Sequence, residues 1–212
     1  SIYDTAAYQK DGIANFKYSP LFASITALFA LTNERAAATI WFIFNYLLII
    51  IFMYCSGKMI FPNGFTEKQK NWIYFWTLFL TSRFYMHNFD QGQVNFFMMT
   101  CLLTGLYATE KKNDLLGGFL IGLSFFIKYM GILIVPYLII KKKFKLVAYI
   151  FLSIIVYSLL PAIFWGWDRN LLLEKVYLPY VCSSSLDAGS LADYANQSIM
   201  SLVVRFFSDT SL

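Results

Sequence analysis

Three stretches of this 212-residue sequence carry side chains able to do chemistry in apolar surroundings. The first is Lys128, alone inside the apolar run Leu115 to Ile140. A lysine within a membrane segment costs roughly 2.5 to 3.5 kcal/mol on insertion scales, so it snorkels, pairs with an anion or faces a cavity. Two readings stand: a lysine that meets the interface or a protein carboxylate, or a counter-charge for a lipid phosphate or pyrophosphate entering sideways from the bilayer. The second stretch is Asp90-Gln91-Gly92-Gln93-Val94-Asn95. Its amides donate and accept, which suits sugar hydroxyls or phosphate oxygens, and Gly92 allows close backbone approach; a polar turn between helices is the alternative. The third is Asn196-Gln197-Ser198, opening the apolar run Ile199 to Phe207. A helix N-terminus there would favour an anion, and a simple cap is the other reading.

The elements that must hold these groups are membrane helices. The chain is 58% hydrophobic and 20% aromatic with 14% charged residues, and its mean hydropathy is +0.57, well above a soluble domain. Continuous apolar runs favour helices over a barrel, because lipid requires each segment to satisfy its own backbone groups. The net charge of +5 lies mostly in short loops between apolar segments, so it orients helices and touches anionic headgroups rather than binding nucleic acid. Three cysteines and one histidine support neither a disulfide framework nor a metal site, and no cofactor is expected.

Charge fixes the topology. Leu115 to Ile140 is about 26 residues, about 39 Å as one helix against a core of about 30 Å. A single helix would also put Lys111-Lys112 and the Lys141 to Lys145 cluster on opposite sides, against the positive-inside rule. Two half-helices, Leu115 to Ile127 and Met130 to Ile140, rising from the cytoplasmic side and meeting at Lys128, satisfy both constraints. Gly117, Gly118 and Gly122 thin one face for a partner helix or an acyl chain. Residues 1–35 read as an extracytoplasmic loop and a re-entrant helix, 36–164 as membrane helices, and 165–212 as an extracytoplasmic loop with the start of the next helix. Within this single domain, Ala36 to Cys55 is the clearest span, and Asn71 to Tyr85 is a short one ended by the polar run from His87. Val94 to Thr109 returns, Leu146 to Phe164 exits, and Trp165-Gly166-Trp167 marks an aromatic interface. The fold class is all-α: a polytopic membrane bundle with re-entrant or half-spanning helices. Starting at Ser1 without Met or signal sequence, the chain reads as an internal piece of a longer protein.

Phe16-Lys17-Tyr18-Ser19-Pro20-Leu21-Phe22-Ala23, Gly92-Gln93-Val94-Asn95, Gly118 to Leu123 with Phe126-Ile127-Lys128, and Asn196-Gln197-Ser198 occur in the order and spacing seen in the GT87 glycosyltransferases. The chain thus resembles GT-C-fold membrane enzymes such as the mycobacterial polyprenol-phosphate-mannose-dependent mannosyltransferases. The resemblance implies transfer of a hexose, often mannose, from a polyprenyl-phosphate donor to a lipid or glycan acceptor on the extracytoplasmic face of a bacterial or archaeal membrane. It implies substrate binding at Tyr18, Gln91, Gly92, Gln93, Asn95, Lys128, Asn196 and Gln197. The general base of such enzymes is a first-loop Asp, expected upstream of Ser1; Asp4 is a poor substitute, and Asp90 and Asp168, although on the extracytoplasmic side, are not expected to serve. The family's first transmembrane helix and C-terminal helices are missing, so this stretch alone is expected to be inactive. Another GT-C lipid-linked sugar or aminoarabinose transferase is the nearest alternative. A non-enzymatic lipid-headgroup carrier is the alternative from another class, although no internal repeat marks a transporter.

Overall fold

The computed structural model describes residues 18–61 and 64–184, and every regular element among them is helical. Helix α1 (Pro20–Thr26) starts where Ser19 accepts the Phe22 N–H and Pro20 occupies the first turn, and it runs on as a 3-10 turn, Ala27–Leu31. Asn33 caps α2 (Glu34–Ile60), 27 residues long. A capping box between Thr66 and Gln69 starts α3 (Glu67–Asp90). Helix α3 therefore continues through His87-Asn88-Phe89, which corrects the short span read from Asn71 to Tyr85. None of those residues breaks a helix, and the break comes at Gly92, in the left-handed region at φ 57°.

Helix α4 (Asn95–Glu110) leads through Lys111-Lys112 to α5 (Asp114–Ile127). Lys128 then leaves the helix in extended geometry (φ −151°, ψ 119°), and a 3-10 turn, Tyr129–Leu133, carries the chain into α6 (Ile134–Ile140). Val135 and Leu138 of α6 share one buried cluster with Ile121 of α5 and with Leu146, Val147 and Ile150 of α7 (Phe144–Leu159). The segment folds back on itself, as two half-helices require. It brings both lysine turns to one end of the bundle, and both are closed alike. Lys112 (φ 64°) and Lys142 (φ 56°) adopt left-handed geometry, and the next N–H reaches back to Ala108 or Leu138 at 2.9 Å. At this basic end Lys58, Lys111, Lys141 and Lys145 each lie over the ring of a tyrosine one turn away, 5.4 to 5.9 Å from its centroid.

Helix α5 is the centre of the bundle, and its glycines settle how. A Cβ on Gly117 would come 2.8 Å from the Gly105 carbonyl of α4, and one on Gly118 would lie 2.9 Å from the Tyr149 backbone of α7. The thin faces are thus filled by neighbouring helices rather than by acyl chain. Pro161 breaks the exit helix into α7 and the short α8 (Ala162–Trp165). Glu34–Ile60 and Phe144–Trp165 are the two described stretches long and apolar enough to cross a membrane. Beyond Gly166, Trp167–Ser184 forms an 18-residue helix, α9, within the stretch read as an extracytoplasmic loop and the start of the next helix. Asn196 and Gln197 lie outside the described residues.

Candidate functional site

At the end opposite the lysine turns, the backbone break at Lys128 aims its ammonium across to α4. Lys128 Nζ donates to Asn95 Oδ1 at 2.7 Å. Asn95, the first residue of α4, donates its Nδ2 to Gln93 Oε1, so both ends of the amide are engaged and its orientation is fixed. The Gln93 backbone is held in turn: its N–H reaches Asn88 O at 3.0 Å, and Asn88 Nδ2 donates to its carbonyl at 3.3 Å. A chain Lys128–Asn95–Gln93–Asn88 therefore ties the hairpin apex to the end of α3. The half-buried ammonium has a neutral partner. The ion pair found among the described residues, Lys70 with Glu67, sits at the basic end, so no described carboxylate compensates Lys128.

The floor of this network is Phe22, Val94, Cys101 and Ile127, with Tyr18 packed against them. A terminal helix turn leaves its carbonyls unpaired. The Phe126 carbonyl of α5 is satisfied from outside by Ser19 Oγ at 2.6 Å, while the same hydroxyl accepts the Phe22 N–H at 3.2 Å. One wholly buried serine thus both starts α1 and seals α5 two residues before Lys128. Ser19→Ala orphans two buried backbone groups and is expected to cost about 2 to 3 kcal/mol, read as a lower unfolding midpoint in detergent. An unchanged midpoint would detach α1 from the apex.

From this polar point an apolar groove of about 370 Å³ leads away between α1 and α2, lined by Tyr18, Phe22, Phe29, Trp41, Gly92 and Val94. The structure therefore brings Lys128, Asn95 and Gln93 into one network and sets Tyr18 and Gly92 on the adjoining groove. Gln91 is exposed in the turn. The left-handed geometry of Gly92 by itself accounts for glycine there. Asp90 is exposed on a neighbouring groove, and Asp168 is exposed at the start of α9.

Two contributors escaped the sequence reading. Ser19 sits in a quoted motif, but its partner lies 107 residues away. Helix α9 is inverted: Leu171 and Leu172 are 42% and 60% exposed while Asn170 is 1% exposed. Asn170, Glu174 and Tyr177 recur at spacings of four and three, one face of a helix, and that was the signal available. Asn170 Nδ2 donates to Ser158 O at the end of α7 at 2.9 Å. Its Oδ1 and Glu174 Oε1 are buried without a hydrogen-bond partner among the described residues. Burial raises the Glu174 carboxyl above its usual range. It also pushes the Tyr177 hydroxyl up to about 12, helped by the charge of Glu174 and by Tyr129, the residue after Lys128. A carboxyl raised in the folded state favours folding most below its unfolded value, and that advantage fades as pH rises through the folded value. The stability difference between Glu174→Gln and the native chain should therefore widen in favour of the variant from pH 4 to pH 8, measured as unfolding midpoints. A difference flat with pH would deny the burial of this charge.

The sequence profile of glycosyltransferase family 87 matches residues 16–212. No curated protein and no solved structure matches the chain.

Proposed function

The chain belongs to glycosyltransferase family 87, and from that membership we propose that this membrane glycosyltransferase uses a polyprenyl-phosphate hexose, mannose first among them, as donor. The acceptor is a hydroxyl of a lipid or glycan on the extracytoplasmic face. The reaction is one inverting displacement of GT-C type. A carboxylate base takes the acceptor proton, the acceptor oxygen forms its bond to the anomeric carbon, and the bond from that carbon to the phosphate oxygen breaks with its electron pair. Negative charge accumulates on the leaving phosphate, and a cation placed there lowers the barrier because it is worth more in the transition state than in the ground state.

The observation that carries this reading is Lys128 itself: an ammonium at the hairpin apex, aimed by a neutral amide and left without a carboxylate among the described residues. It is pre-oriented for an incoming anion, and Asn95 and Gln93 keep amide groups beside it. The groove lined by Tyr18, Phe22 and Trp41 adjoins that point and has the apolar character a prenyl chain needs. The Lys and Tyr belt at the opposite end suits the cytoplasmic headgroup layer and supports a reading with the Lys128 end facing outward. The test is transfer of labelled mannose from polyprenyl-phosphate mannose to extracted lipid acceptors by the full-length protein in detergent. Transfer with inversion supports the reading. Failure with polyprenyl-phosphate mannose and glucose alike, alongside activity with a sugar nucleotide, would overturn it.

A further inference from the structure

A second groove, of about 510 Å³, opens beside the first at the Lys128 end of the bundle, lined from α2 by Thr39 and Phe42 and from α3 by Phe89 and Asp90. Ala38, Trp41 and Gly92 line both grooves, so the two meet along one shared edge. That edge adjoins the polar network: Gly92 leads straight into Gln93, whose side chain is bonded to Asn95, which in turn holds Lys128. The two linings differ in charge. Among the described residues the first groove carries no charged side chain, whereas the second carries the carboxylate of Asp90 and the hydroxyl of Thr39, both on exposed residues. Its apolar part is the pair of rings of Phe42 and Phe89, whose centroids lie 4.9 Å apart. Phe42 is 54% exposed, so this surface is reachable from outside the bundle. The opening exists because the α2 residues facing it are small: Ala38 and Thr39 stand where a longer side chain would fill it.

We propose that the Asp90 groove is the acceptor site and takes an uncharged, hydroxyl-bearing lipid, its apolar part against Phe42 and Phe89 and its hydroxyls toward Asp90. The inference rests on the glycosyltransferase reading above and names the class of its acceptor. A displacement needs both reactants held at one point, and two grooves that share an edge achieve this when each holds one of them. Charge decides which holds which. A carboxylate accepts hydrogen bonds from hydroxyls and repels phosphate, so the anionic donor belongs to the uncharged groove beside Lys128 and the neutral substrate to the other. Aromatic walls with a few polar groups suit a molecule that is part apolar and part hydroxyl. Trp41 and Gly92 are then the edge across which the acceptor hydroxyl reaches the anomeric carbon, in the displacement already described. Asp90 binds the acceptor here and is not assigned the reacting proton.

The experiment uses the full-length protein in phosphatidylcholine nanodiscs, since glycoside detergents would compete. The acceptor probe is dodecyl mannoside, also prepared with a photoreactive group in its tail, and dodecyl phosphate is the anion of matched tail. Without donor, the photoreactive probe should label residues 38–42 and 89–92, and unlabelled dodecyl mannoside should displace it while dodecyl phosphate does not. In Asp90→Asn, dodecyl phosphate should begin to compete. With polyprenyl-phosphate mannose added, Thr39→Trp, which fills the second groove alone, should raise the acceptor KM about tenfold or more with donor KM and unfolding midpoint unchanged. Ala37→Leu, on the first groove alone, should raise the donor KM instead. Labelling elsewhere, or equal displacement by dodecyl phosphate from the native protein, overturns the assignment and leaves the glycosyltransferase reading in place. So does an unchanged acceptor KM in Thr39→Trp. Should that variant lose stability, Phe42→Ala decides in its place: a raised acceptor KM supports the groove and an unchanged one overturns it. A groove that labels as expected in a protein that transfers no lipid-linked sugar defeats the underlying reading, and the acceptor role falls with it.

Discussion

Lys128→Ala in the full-length protein is expected to reduce turnover of a polyprenyl-phosphate sugar by a hundredfold or more while leaving the unfolding midpoint nearly unchanged. Removing one preorganised group that meets developing charge costs about 10² to 10³ in kcat. Among the described residues, Lys128 is the cation hydrogen-bonded to the Asn95 network. The fold should tolerate the loss because Lys128 lies outside both buried apolar clusters and its ammonium bonds a neutral amide. Its backbone N–H bond to Ser124 O, 2.9 Å, survives in any substitution except proline. Lys128→Arg should recover part of the rate, since the charge returns with different geometry. Lys128→Met, which keeps the length and drops the charge, should be as slow as alanine. Native turnover by the alanine variant would remove the apex cation from the mechanism and leave the polar network a structural staple. A slow alanine variant with a collapsed midpoint would say the same.

The hairpin was legible because two independent constraints met on it: a run too long for one upright crossing and lysines that must share a side. Lys128 was legible because an ammonium in an apolar run has few homes. Its partner was half legible. Asn95 and Gln93 stood out as amides beside a glycine, but nothing in the spacing joins position 95 to position 128, because that contact depends on the fold-back and on α4 lying against α5. Ser19 was hidden for the same reason. The length of α3 was misjudged from polarity, whereas the physical stop is Gly92 and its left-handed turn. The bounds of α9 were hidden because a polar inward face, with Asn170 buried, masks the apolar spacing that reveals a helix.

The glycines of α5 look interchangeable in sequence and differ in space, so they yield the sharpest stability prediction. Gly118→Ala should lower the unfolding midpoint strongly and Gly118→Leu should prevent a folded product. An added Cβ would meet backbone of α7, 2.9 Å from the Tyr149 carbonyl carbon and 3.1 Å from the Ile150 nitrogen, and backbone inside a packed helix cannot swing aside. Alanine gains up to about 1 kcal/mol of helix propensity over glycine, whereas overpacking typically costs about 1 to 3 kcal/mol and more when the obstacle is main chain. The steric side wins, and α5 must move off α7. That movement opens the cluster of Ile121, Leu146 and Ile150 and stretches the bond from Ser153 Oγ to the Gly118 carbonyl, 3.2 Å. Leu116→Ala supplies the control on the same helix, because that side chain is 48% exposed on the bundle surface and should leave the midpoint within about 1 kcal/mol of native. Equal loss in both variants would mean that α5 is not pressed between neighbours. Because α5 ends directly before Lys128, the alanine variant should also lose transfer activity beyond its loss of folded protein, since displacing α5 displaces the lysine from Asn95.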